Sequence, residues 1–136
     1  MDSLDPKWAG YCFDLEDATE EGGAEGWRIN AHLVMPCKTM MAVKDFYCRE
    51  TSTMGWQETT CPLGDGICRW SEFLKIPAAA GFHGTISLHV EYQIPGVSVD
   101  QGIALSREND AAITAAARRD LDTLKPLSRE PYEGSR

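Results

Sequence analysis

The sequence has no long apolar run, no excess of basic charge and only three histidines, and each shortage closes off a class of function. None of its hydrophobic stretches approaches the roughly 20 residues that cross a bilayer as a helix. Against 21 acidic side chains stand 13 basic ones, and the net charge of −8 repels nucleic acid and anionic membrane surfaces at long range. Both are therefore excluded as partners. Five cysteines are present (Cys12, Cys37, Cys48, Cys61, Cys68), but no pair has C-x-x-C spacing. Cys61 and Cys68 also lack a nearby histidine to complete a tetrahedral zinc site. The odd count, with an acidic opening Met1-Asp2-Ser3-Leu4-Asp5-Pro6 that has no apolar signal core, predicts reduced structural cysteines in a cytoplasmic protein.

What is present is ordinary in bulk and ordered in detail. The 136 residues, 43% hydrophobic and 25% charged, suffice for one domain with a real core. Three apolar segments read as strands: Trp8–Leu15, Thr39–Phe46 and Thr85–Tyr92. Charge gathers where each ends, as Asp14, Glu16 and Asp17, then Lys44 and Asp45, then Glu91. Parallel strands of α/β proteins are apolar along their length, and ligands sit beyond their carboxyl ends.

Helical patterns fall between and after these strands. Gly26–Met35 is a short helix, and Ser71–Ala80 a second, with Ser71 as N-cap and Pro77 kinking or shortening it. Glu108–Leu127 is the strongest, with an apolar stripe of Ala112, Ile113, Ala116, Leu121 and Leu124. Arg118 and Arg119 are expected to face away, and Pro126 to end the helix. Residues 1–127 form the domain and 128–136 a polar tail. The connection Cys48–Arg69, with Gly55, Trp56, Pro62, Gly64 and Gly66, reads as a long functional loop without an element of its own. The expected class is α/β, a parallel βαβαβα segment with right-handed crossovers.

Four stretches then resemble the xylose-isomerase-like TIM-barrel sugar isomerases and epimerases. Residues Tyr11–Gly23, with Tyr11-Cys12-Phe13-Asp14 and the Gly22-Gly23 pair, are similar to that family's strand-six segment. Ala42-Val43-Lys44-Asp45-Phe46 resembles strand seven. Pro62-Leu63-Gly64-Asp65-Gly66, followed by Trp70, resembles the loop into helix seven, and Ala80–Tyr92 resembles strand eight. The resemblance spans about residues 5–127 and implies a partial (β/α)8 barrel, strands six to eight. A complete barrel needs about 250 residues, so the expectation is a fragment that self-associates or is completed by a chain supplying the missing strands.

The resemblance also implies chemistry: metal-assisted proton transfer next to the carbonyl of a small sugar, polyol or sugar phosphate. It implies a divalent metal, Mn²⁺, Mg²⁺ or Co²⁺. Asp14 and Glu91 match metal ligands, Ala42 stands where the family has a metal-binding histidine, and the strand-five glutamate has no counterpart. Glu91 and Lys44 are the candidate catalytic residues; Asp17, His89 and Trp56 are the candidate substrate contacts. Each has a plainer alternative. Asp14 and Glu91 can form a salt bridge with Lys44, Asp17 can cap a helix, His89 can be a core histidine, and Trp56 and Trp70 can pack between helix and sheet. An isomerase-family enzyme incomplete on its own is the leading expectation. A degenerate, non-catalytic α/β binding or assembly module is the alternative, favoured by Ala42, Asp17 and Pro77.

Overall fold

The structure, a computed structural model, describes Asp5 and residues 8–97 and 107–133, without the side chains of residues 38, 39, 107 and 108. Most of the acidic opening and the last three residues of the tail lie outside the described residues. Among the described residues, five strands and four α-helices run in the order β1 (Tyr11–Asp14), α1 (Leu15–Val34), β2 (Lys38–Val43), β3 (Asp45–Thr51), β4 (Gly55–Cys61), α2 (Trp70–Phe73), α3 (Lys75–Ala79), β5 (Thr85–Leu88) and α4 (Arg107–Glu133). The strands β1, β2 and β5 form one parallel sheet in sequential order, as an α/β segment requires.

Alternation along these strands assigns their faces. Phe13, Met41, Val43, Ile86 and Leu88 turn to the helices, where Leu15, Trp27, Ala31, Phe73, Leu74 and Leu124 complete the core. Phe13 stacks on Phe73 at 5.2 Å, and Trp27 and Trp70 meet Phe73 edge-on. Trp70 is thus a core residue. On the opposite face the register sets Asp14 beside Ala42 and Ala42 beside Ser87, one short or charged residue from each strand. That row leads toward the carboxyl ends.

Several elements depart from the sequence expectations for physical reasons. The first strand is only four residues long, because Asp14 caps a helix that starts at once: its side chain accepts the Glu16 amide at 2.9 Å. The helix α1 begins well before Gly26; Gly23, at φ 69°, breaks it without ending it. The second strand stops at Val43, and Asp45–Cys61 is an antiparallel hairpin, β3 with β4, which takes in the end of the expected second strand and much of the Cys48–Arg69 stretch expected as a loop. Arg69, not Ser71, precedes α2. Pro77 is the third residue of α3, after a break at Leu74, where its missing N–H falls in an unbonded first turn. Pro126 does not end α4; it lies on an exposed face of a helix that continues through Pro131 to Glu133. Arg119 does not face away but reaches Asp65 at 2.7 Å. No helix among the described residues is long and apolar enough to cross a membrane.

Candidate functional site

The carboxyl ends of the three parallel strands converge on one ammonium. Lys44 follows β2 directly, and its Nζ lies 2.8 Å from Glu16, 3.1 Å from Asp17, 3.4 Å from Asp14 and 3.5 Å from Glu91. Alternation carries the open face of the sheet past the strand ends, so Lys44 continues from Ala42, and His89 and Glu91 continue from Ser87. The ladder persists that far, since the His89 amide donates to the Val43 carbonyl at 2.9 Å. His89 Nδ1 lies 3.2 Å from a Glu91 carboxylate oxygen. Asp14, Asp17, Lys44, His89 and Glu91 are therefore brought together, as the strand-end reading requires.

Two participants were not singled out from the sequence. Glu16 is 2% exposed, and its Oε2 makes the shortest of the Lys44 ion pairs. Its signal was the charge cluster after β1; its burial follows from the helical turn that starts at Leu15. Glu58 comes from β4, in the stretch read as a loop, and contacts both Glu16 and Glu20 of α1. Trp56 lies two residues further out on the same hairpin face, 69% exposed, near the turn and outside the cluster around Lys44.

Burial, with charge repulsion behind it, raises the pKa values of Asp14, Glu16 and Glu58. Burial, then the negative charge of Asp17, raises the Asp14 pKa despite Lys44. Burial also raises that of Glu16, against the pull of Lys44. Glu58 is pushed up to about 7 by burial, then by Glu16 and Glu20. The neighbouring acids disfavour one another's charged forms. For Lys44, burial opposes the charge, but the close ion pairs with Glu16 and Asp17 and the charges of Asp14 and Glu16 outweigh it and raise the pKa. An ammonium held this firmly serves as a fixed charge and hydrogen-bond donor, not as a nucleophile or base.

Asp45, one residue on, has a different task. It is 1% exposed; Oδ1 accepts the amides of Phe46 (3.0 Å) and Cys68 (3.1 Å), and Oδ2 that of Gly64 (3.0 Å). The Pro62–Cys68 loop is thus wrapped around a carboxylate of its own chain. Its backbone amides at Gly64 and Cys68 are already spoken for, which leaves them no part in holding a phosphate. Buried Asp120 of α4 braces the same loop through the Leu63 amide at 3.3 Å.

The divalent metal implied by the family resemblance does not fit these residues. Asp14, Glu16 and Asp17 can bring oxygens within 4.8 Å of one another. Yet all three, and Glu91, already surround the Lys44 ammonium, and the strand-seven position carries the methyl of buried Ala42. Comparison of the chain with family models, with curated proteins and with solved structures finds no match.

Proposed function

We propose that this chain contributes the last three βα units of a barrel of the xylose-isomerase-like kind, and that the end of its sheet is a pocket for a small neutral sugar or polyol. One observation carries the reading: Asp14, Lys44, His89 and Glu91 share one face at the carboxyl ends of three sequential parallel strands. That is where α/β sheets and barrels bind ligands. Carboxylates accept sugar hydroxyls and the ammonium donates to a carbonyl or hydroxyl oxygen, so a polyol finds both partners. A sugar phosphate is disfavoured, because four carboxylates outnumber the single lysine. In this reading Glu91, hydrogen-bonded to His89, is the acid–base residue of an isomerase or epimerase, Lys44 orients substrate oxygens and Asp17 accepts a hydroxyl. The protein acts in the cytoplasm, and the strands that complete the barrel pair with the free edges of this sheet.

A second reading has its own observation. Ala42 is buried at the centre of the open face and offers no donor or acceptor, which favours a binding or assembly module without turnover. Ligand titration monitored by NMR, run beside an isomerisation assay with Mn²⁺, Mg²⁺ or Co²⁺, separates the two. Binding of neutral polyols without turnover by the chain alone is expected. Turnover that vanishes in Glu91→Ala would establish a complete catalyst, and no binding by any sugar or polyol would refute the pocket.

A further inference from the structure

The metal that the resemblance implies and the side chains at the sheet end disagree, and the disagreement concerns where the positive charge comes from. Four carboxylates reach one point from three directions: Asp14 from the end of β1, Glu16 and Asp17 from the first turn of α1, and Glu91 from the segment after β5. At that point stands the Nζ of Lys44, delivered by the residue that follows β2. On the open face, β2 therefore supplies first a methyl group, at Ala42, and then an ammonium, at Lys44. Neither is a metal ligand, and the second is itself a cation.

We propose that Lys44 supplies, as a tethered ammonium, the positive charge that related barrels take from a divalent ion. The inference rests on the barrel-pocket reading given above. The distances agree with it. Nitrogen–oxygen separations of 2.8 to 3.5 Å are those of ion pairs around an ammonium, whereas a bound divalent ion draws its oxygens in to about 2.0–2.6 Å. The side chain is only 15% exposed, so it cannot leave for solvent without stranding buried Glu16.

A ligand in this pocket then meets N–H donors in place of a Lewis acid, and its oxygens are held by hydrogen bonds alone.

The test uses the full chain and Mn²⁺ as probe, followed by electron paramagnetic resonance and by thermal melting with and without chelator. Wild type is expected to bind no Mn²⁺ and to melt at the same temperature in both conditions. Lys44→Ala is expected to melt lower without metal, to bind Mn²⁺ and to recover its melting temperature when Mn²⁺ is added. Lys44→Arg, which keeps the charge, is expected to behave as wild type. Chelator-sensitive Mn²⁺ binding by wild type that is lost in Asp14→Asn overturns the proposal, as does folded Lys44→Ala that binds no Mn²⁺. If Lys44→Ala folds only with Mn²⁺ present, the proposal stands; if Mn²⁺ fails to restore its fold while Lys44→Arg folds, it falls. Polyol titration of wild type tests the parent reading separately, so the two can fail independently.

Discussion

The carboxylate of Asp45 occupies the space that any side chain on Gly66 would need. A Cβ at Gly66 would overlap both that carboxylate and the Phe46 carbonyl oxygen. The glycine is thus required by close approach to a buried anion, and the anion by the amides of Phe46, Gly64 and Cys68. Asp45→Ala is expected to cost about 3 kcal/mol, since it strands two loop amides. Gly66→Ala is expected to cost about 2 kcal/mol through overpacking. Combined, they should be less than additive, because each disrupts the same loop. Urea unfolding of the three variants checks this, and strict additivity would show that the contact is incidental.

Glu58 of the hairpin faces the acids Glu16 and Glu20 of α1, and this gives stability a pH dependence. Glu58 titrates near 7 in the folded chain, through burial and then Glu16 and Glu20, against an ordinary value of 4.5. A carboxyl whose folded pKa is raised binds more protons folded than unfolded between those two values. Its contribution is therefore complete below about pH 4.5 and is lost as pH rises through about 7. Glu58→Gln, which cannot ionise, should flatten that part of the stability curve and be more stable than wild type at pH 8. Melting temperatures from pH 4 to 8 measure it, and parallel curves for both proteins would contradict the raised Glu58 pKa.

How much of this was legible in the sequence depended on whether the signal was local. Apolar runs ending in charge located β1, β2 and β5, and their sequential order made Asp14, Lys44 and Glu91 meet. The hairpin was hidden because Cys48–Glu58 is mostly polar and its turn, Ser52-Thr53-Met54-Gly55, has no Asn-Gly or Asp-Gly pair. With the hairpin went Glu58 and the position of Trp56. Gly22-Gly23 hid the first half of α1, since paired glycines read as a stop although only Gly23 leaves helical geometry. The burial of Glu16 is a tertiary fact: nothing in Asp14-Leu15-Glu16-Asp17 distinguishes the buried acid from the exposed one until Lys44 is placed.

The cysteines should divide by reactivity. Cys12, Cys37 and Cys48 are exposed and free, whereas Cys61 is buried and Cys68 partly so. Burial, followed by the charge of Asp45, pushes the Cys61 thiol up to about 12 and raises that of Cys68 as well. Attack requires the thiolate. Thiol titration of the native chain with an aromatic disulfide at pH 8 should find three fast groups, with Cys61 and Cys68 appearing only on unfolding. Fast reaction of Cys68 would show that the Asp45 loop opens readily.

Association follows from the sheet itself. In the order β1-β2-β5 both outer strands leave one edge without a strand neighbour among the described residues. Unpaired edges are templates for pairing with another chain. On α1, Ile29 and Leu33 lie one turn apart and are 66% and 72% exposed, which adds an apolar stripe to the surface. Charge opposes contact, since the net −8 keeps copies apart at low salt. The expected outcome is concentration-dependent self-association that strengthens as salt screens the repulsion. Cys12 is exposed on the edge strand β1, and Cys12→Lys places a charge there, so this variant should associate less at every concentration. Sedimentation velocity over a concentration series, at low and at physiological salt, reads both effects. A compact monomer throughout, unchanged by Cys12→Lys, would mean that the edges do not govern assembly, and the need for further strands would lose its support.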